Sequence, residues 1–213
     1  LAGYCASQGY ATVLFDYDPQ GSSTRWLKAR TESYPAIHGV AAYEPPKAGI
    51  TRSWQLRIPQ QTRYVIRDTP AGYTGIDLWD RVHESDVILI PVLPSVIDMH
   101  STANFVRDLL LIGKARAQGK QIAIIANRTR IRTRSMVKLE RFLRNLDIPV
   151  IAQIRDTQHY VHAAEQGIGV CELAESAAHR DSTPWANILG WMQQHDRQND
   201  TVVTAVSRVM PFA

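Results

Sequence analysis

Phe15-Asp16-Tyr17-Asp18-Pro19-Gln20-Gly21-Ser22 is the stretch whose reading decides the fold. It follows Thr12-Val13-Leu14-Phe15, a short apolar run that reads as a buried strand. Asp16 and Asp18 then sit one residue apart where that strand should end, and a Pro-Gln-Gly turn follows. Ser22-Ser23-Thr24 can cap the helix after the turn. Open α/β sheets place their ligands at the carboxyl ends of parallel strands. Two acids at such a position suit a hydrated magnesium ion and a nucleophilic water. The plainer reading is an acidic turn that caps a helix, and the rest of the chain has to choose between the two.

The chain has 213 residues, 45% apolar and 21% charged, which fits one globular domain over residues 1–213 with a sizeable core. Formal net charge is +4, so the placement of the charge matters more than its size. Two cysteines, Cys5 and Cys171, stand without a pairing motif and point to a reducing cytoplasm. No apolar run approaches the roughly 20 residues a bilayer requires, so no membrane association is expected. Leu1-Ala2-Gly3-Tyr4-Cys5 carries no basic leader and reads as the middle of a helix, so the chain is expected to begin inside a larger sequence.

Working outward, residues 1–8 read as a helix stopped by Gly9, and Ser23–Arg30 as a second helix. Residues 31–62, punctuated by Pro35, Gly39, Pro45, Pro46, Gly49 and Pro59, read as a surface excursion with one short helix. Tyr64–Asp68 is a strand broken by Thr69-Pro70-Ala71-Gly72. Val87-Ile88-Leu89-Ile90 is continuously apolar, as a strand covered on both faces should be, and ends at Pro91. A helix capped by Asp98 or Ser101 runs to about Gln118, with Met99, Ala103, Val106, Leu109, Leu110 and Gly113 on one face. Ile122–Ala126 is a strand ending at Asn127, Thr133–Leu146 an amphipathic helix, and Pro149–Ile154 a strand ending at Arg155-Asp156. Helices over Thr157–Gln166 and from Pro184 to Gln194 follow, and the segment 198–213 has no clear pattern. Regular alternation of strands and helices gives the fold class: α/β, a doubly wound, mostly parallel sheet with helices on both faces.

Asp68 is a second acid at a strand end. Its apolar strand closing in Asp-Thr-Pro has the form of a Walker B element, or equally of a common Asp-Pro turn. Asn127, at another strand end, offers an amide that can donate to and accept from a base edge, or satisfy its own turn. The segment 128–144 holds Arg128, Arg130, Arg132, Arg134, Lys138, Arg141 and Arg144 against one acid, Glu140. On a helix from Thr133, Arg134, Lys138 and Arg141 share a face flanked by Arg144, while Met136, Leu139, Phe142, Leu143 and Leu146 cover the opposite side. Such a face suits a phosphate backbone and salt-sensitive binding; the alternative is an ordinary solvated helix. His159 and His162 lie one helical turn apart without an evident third metal ligand. Gly167-Ile168-Gly169 reads as a helix stop, and Trp54, Trp79, Trp185 and Trp191 as packing residues.

The order of these motifs resembles that of the ParA/MinD-type, deviant-Walker ATPases. Val13–Ser22 resembles their switch I, Tyr64–Gly72 their Walker B and switch II, and Ile90-Pro91-Val92-Leu93-Pro94-Ser95 the proline-rich strand end that follows. Asn127-Arg128 resembles the adenine-contacting position, and Ile154-Arg155-Asp156 with Ala163–Gly167 the late loop and helix beside the base. The Asp-Pro-Gln-Gly form is closer to ParA than to MinD, and the likeness runs from residue 1 to about residue 195.

The resemblance implies a P-loop NTPase-like fold and a dimeric, ATP- and Mg2+-dependent switch. In such a switch the ATP-bound homodimer binds double-stranded DNA nonspecifically, and a ParB-like or cargo-adaptor protein triggers hydrolysis. The implied setting is the nucleoid within the cytoplasm, and the implied task is partition or positioning of a plasmid, chromosome or large cargo. By position, Asp18 would orient the attacking water, Asp16 would support the nucleotide's metal side, and Asp68 would hold magnesium through water. Asn127, Ile154 and Asp156 would contact adenine, and the arginine-rich segment would contact DNA.

The family's glycine-rich phosphate loop and first strand would precede Leu1, and no Gly-Lys-Thr or Gly-Lys-Ser occurs in the sequence. The absent strand should be central, so an open groove with unpaired backbone is expected in the sheet. Two other readings follow: a relative that binds DNA or a partner without hydrolysing ATP, and a small-molecule ATP-using synthetase of the same superfamily. The basic helix speaks against the synthetase.

Overall fold

The computed structural model describes residues 1–174, 179–196 and 203–208, with backbone only at residues 179, 196 and 203–208. Seven strands form one sheet in the order β2-β1-β3-β7-β4-β5-β6, and every recorded pairing is parallel. The strands are β1 (Thr12–Asp16), β2 (Ile37–Ala41), β3 (Tyr64–Thr69), β4 (Val87–Val92), β5 (Gln121–Thr129), β6 (Val150–Arg155) and β7 (Val203–Arg208). The helices are α1 (Ala2–Ser7), α2 (Ser22–Ala29), α3 (Arg52–Gln55), α4 (Gly75–His83), α5 (Val96–Leu111), α6 (Arg134–Leu143), α7 (Gln158–Glu165) and α8 (His179–Asp196).

Alternation along each strand divides the core between the two faces of the sheet. Leu14, Tyr64, Ile66, Val87, Leu89, Ala123, Ile125, Ala152 and Ile154 pack on one face with α1 and α8. Ile88, Ile90, Val92, Ile122, Ile124 and Ala126 pack on the other with α4, α5 and α6. Val13, Phe15 and Val65 extend that second face toward the β2 side. Both faces of β4 are therefore covered, which is why its sequence is unbroken Val-Ile-Leu-Ile.

The structure departs from the sequence expectations at particular places. The excursion 31–62 contains edge strand β2, of which only Val40 is buried. A Cβ at Gly39 in that strand would lie 2.5 Å from Leu27 Cδ1, so the Leu27 side chain packs over the glycine and would have to turn aside for a larger residue. Helix α4 lies between two segments read only as strand ends. Helix α5 starts at Val96, and the Asp98 carboxylate instead accepts the Leu93 amide at 2.6 Å. Trp185 and Trp191 pack against the core. Trp54 and Trp79 are 61% and 40% exposed: one lies under the Arg57 guanidinium, the other stacks on His83.

The largest correction concerns the centre of the sheet. The expected open groove is not there: β7, from the segment without a clear pattern, pairs in parallel with β3 over six residues and with β4 over three. Its backbone groups satisfy the two strand edges that would otherwise face each other unpaired.

Candidate nucleotide and polyanion site

Asp16 and Asp68 are directly opposite in the β1–β3 register, at the carboxyl ends of their strands. Both are almost fully buried. The Asp16 carboxylate is held by backbone donors: Oδ1 accepts the Asp18 amide at 3.1 Å and Oδ2 accepts the Thr24 amide at 2.8 Å. It thus closes the turn and caps the amino end of α2 from outside the helix, a charge-assisted contact favoured by the helix dipole. Asp18 is half-buried; its Oδ1 accepts the Gln20 amide at 2.9 Å, and its carbonyl accepts the Gly21 amide at 2.8 Å. Gly21 has φ 64°, and a Cβ there would stand 2.8 Å from the Tyr43 hydroxyl, so this corner requires glycine on two counts.

Asp68 differs from both. Oδ2 accepts the Ser23 hydroxyl at 2.6 Å, but Oδ1 is buried with no hydrogen-bond partner among the described residues. Burial pushes its pKa up to about 7; the Ser23 hydrogen bond lowers it in part, and the charges of Asp16 and Asp18 raise it further. A buried carboxylate oxygen without a partner is stabilised either by a proton, which the raised pKa favours, or by a cation. No group of three or more Asp, Glu, His or Cys among the described residues is placed to hold a metal ion, so a divalent ion here would meet Asp68 alone, whereas Asp16 has both oxygens engaged by the backbone.

Sequence reasoning missed how this corner is tied to its surroundings. Tyr17 points to the face opposite Asp68, where the Arg67 guanidinium donates to its hydroxyl at 3.2 Å and Arg81 lies 4.5 Å from its ring. Glu84 accepts from Arg67 and pairs with Arg81 at 2.9 Å. The loop between the two acids is thereby linked to α4. Period-2 alternation could have signalled it, since it puts Arg67 and Asp68 on opposite faces of β3.

The second half of the site lies across the sheet. Register shifts between Ala126 and Thr129 lift Asn127-Arg128 out of the β5–β6 ladder, with Arg128 at φ 49° and its amide donating to Asn127 Oδ1 at 2.9 Å. Thr129 then returns to the ladder, its hydroxyl donating to the Ile154 carbonyl at 3.1 Å and its carbonyl accepting the Asp156 amide at 3.0 Å. Asn127, Ile154 and Asp156 are thus brought together at one strand end, while the Ile154 side chain itself is buried in the core. The Asp156 carboxylate is held by cations: Arg130 at 2.6 Å and Arg128 at 3.6 Å.

Helix α6 is built as its pattern predicts. Thr133 caps it by accepting the Met136 amide at 3.2 Å, and Met136, Leu139 and Leu143 are buried. Arg132, Arg134, Lys138, Arg141 and Arg144 are exposed and form no ion pair among the described residues. His159, by contrast, binds the buried Asp181 carboxylate at 2.7 Å, and His162 contacts Gln166. No helix among the described residues is long and apolar enough to cross a membrane.

The fold and these positions can be set beside known proteins. No family model matches the chain. It is 25% identical over 163 residues to the maintenance of carboxysome distribution protein A of Halothiobacillus neapolitanus, across 75% of this chain and 73% of that protein. An AMPPNP-bound protein of Borrelia burgdorferi assigned to plasmid partition superimposes with a TM-score of 0.62 at 12% identity, covering 89% of this chain and 90% of its own. The MinD cell division protein of Aquifex aeolicus gives 0.60 at 15% identity, covering 88% and 87%. The fold is ParA/MinD-like. ParA/MinD-type proteins thus match its sheet and helices over most of their own length, and a protein of carboxysome distribution is its relative by sequence.

Proposed function

We propose that this chain works as one ParA-like domain: an ATP-dependent, nonspecific DNA-binding switch that positions a plasmid, chromosome or large cellular cargo. The observation that carries the reading is the partnerless, buried Asp68 oxygen level with Asp16 at the carboxyl edge of a ParA/MinD-type sheet. Magnesium would supply charge neutralisation for the nucleotide phosphates there. Asp68 would hold that ion through water, Asp16 keeps the loop in place, and Asp18 would orient the attacking water from the more open side of the turn. The Asn127 amide and the 154–156 backbone would meet the adenine edge. The exposed cations Arg132, Arg134, Lys138, Arg141 and Arg144 would track DNA phosphates, with Arg128 and Arg130 held in reserve by Asp156. The reading extends to a homodimer with ATP, a ParB-like or cargo-adaptor protein that stimulates hydrolysis, and a place on the nucleoid in the cytoplasm.

A second reading has its own support. β7 fills the strand position beside Asp68. On this reading the chain is a non-catalytic relative that binds DNA or a partner without hydrolysing ATP. Titration of labelled duplex DNA with and without Mg2+-AMPPNP separates the two. The switch requires the nucleotide to tighten DNA binding at least several-fold; binding that ignores the nucleotide establishes the second reading.

A further inference from the structure

We propose, on the basis of the DNA-binding reading above, that the turn Arg130-Ile131-Arg132 is a minor-groove wedge. Ile131 enters between base steps of a bound duplex and bends it, while Arg132 beside it follows the groove. Ile131 is 79% exposed, in the turn between β5 and α6. A single exposed isoleucine is ordinary on a protein surface. This one stands within Arg128-Thr129-Arg130-Ile131-Arg132-Thr133-Arg134, where every second residue is an arginine and each of those arginines is exposed.

The turn is anchored on both sides. Thr129 is tied into the sheet, its hydroxyl donating to the Ile154 carbonyl at 3.1 Å and its carbonyl accepting the Asp156 amide at 3.0 Å. Toward α6, the Thr133 hydroxyl donates to the Arg130 carbonyl at 2.9 Å and accepts the Met136 amide at 3.2 Å. Asp156 pins Arg130 from below, accepting its Nε at 2.7 Å, and leaves Arg132 without an ion pair among the described residues. Arg128 and Arg132 both have left-handed backbone, with φ of 49° and 61°. That conformation is disfavoured for a long side chain, and such strain gathers at sites with a task. A short turn held in shape before binding loses little conformational freedom when it inserts.

The surroundings select the ligand. On α6, Arg134, Val137, Lys138 and Arg141 share a face by helical spacing, and Val137 is 63% exposed. The surface thus sets a wedge and a second branched apolar contact inside a field of cations. A duplex minor groove suits both, because its negative potential attracts arginine and its base steps open to an inserted apolar side chain. An anionic membrane is the poorer match. Met136, Leu139 and Leu143 are buried in the core, so lipid would meet Ile131 and Val137 rather than the continuous apolar face of an interfacial helix.

The test titrates the full chain into a duplex of about 20 base pairs carrying a fluorophore at each end, with and without Mg2+-AMPPNP. Energy transfer between the ends reads the bend, and anisotropy reads the affinity. Ile131→Ala removes the wedge and keeps every charge, and the exposure of the residue leaves the fold intact, which thermal unfolding checks. The unaltered chain is expected to bring the duplex ends together. Ile131→Ala is expected to lose the bend and bind roughly fivefold more weakly, with the salt slope unchanged because no phosphate contact is lost. Ile131→Leu, which keeps the apolar bulk, is expected to restore the bend, and failure to do so overturns the wedge. A duplex that is bound but unbent, or an alanine variant that bends and binds like the unaltered chain, overturns the wedge and leaves DNA binding in place. Absence of duplex binding in both nucleotide conditions overturns the DNA reading and the wedge with it. Binding to phosphatidylserine vesicles that depends on Ile131, with no bend in the duplex, overturns the wedge in favour of a membrane contact.

Discussion

The acid corner at β1 and β3 and the basic surface at β5 and α6 solve opposite problems. At the corner, two acids are buried level with each other on adjacent strands, and each is held by directed donors: two amides for Asp16, one hydroxyl for Asp68. On α6 the cations are exposed and form no ion pair among the described residues, because water already solvates them. The corner therefore acts through geometry and the helix through charge density. Perturbing the first should alter stability and its pH dependence, whereas perturbing the second should alter only binding and its salt dependence.

Asp16→Ala carries the largest expected effect. It leaves the Asp18 and Thr24 amides without their acceptor in a buried site and should cost about 3 kcal/mol, read by urea unfolding. A loss below about 0.5 kcal/mol would remove the corner from the structural frame. Asp68→Asn should act in the opposite direction. Because the folded-state pKa of Asp68 is raised from 3.8 to about 7, the native state binds the proton more tightly than the unfolded chain. Stability is then fully present below the unfolded value and is lost as pH rises toward 7. The amide cannot ionise, so the variant should be more stable at neutral pH by on the order of 2 kcal/mol and flatter in its pH dependence. Thermal unfolding between pH 4 and 8 measures both, and Mg2+ should stabilise the unaltered chain more than the variant.

On the basic side, Arg134→Ala with Arg141→Ala should weaken binding to any duplex sequence by roughly tenfold and reduce the salt slope by about 2, with unfolding unchanged. An unaltered slope would move the contact to Arg128, Arg130 and Arg132. The smallest effect belongs to Asp156→Asn, which releases Arg128 and Arg130 from an exposed pair worth at most about 1 kcal/mol. DNA binding should tighten by less than about fivefold, and weaker binding would show that Asp156 presents these arginines rather than restraining them.

Legibility in the sequence followed the strength of local signals. β4 was plain because both its faces are covered, and α6 because Thr133, the apolar stripe and the cations coincide on one helix. β2 was hidden because an edge strand with His38 and Gly39 exposed needs little apolar character. α4 was hidden because the chain around Gly72 and Gly75, both at positive φ, reads as a loop. The acids at 16, 18 and 68 were found as a group, yet nothing local could distinguish Asp16, saturated by amides, from Asp68, left with a partnerless oxygen.

The sequence by itself determined the parallel α/β class, the strand ends that carry acids and amide, and the basic face of α6, because these depend on spacing within one element. Only the tertiary structure decided that Asp16 and Asp68 lie level, that Asp156 holds two of the arginines, and that β7 occupies the centre of the sheet. Those facts depend on pairing between segments far apart in the chain, where backbone hydrogen bonding can seat a strand whose side chains give no sign of it.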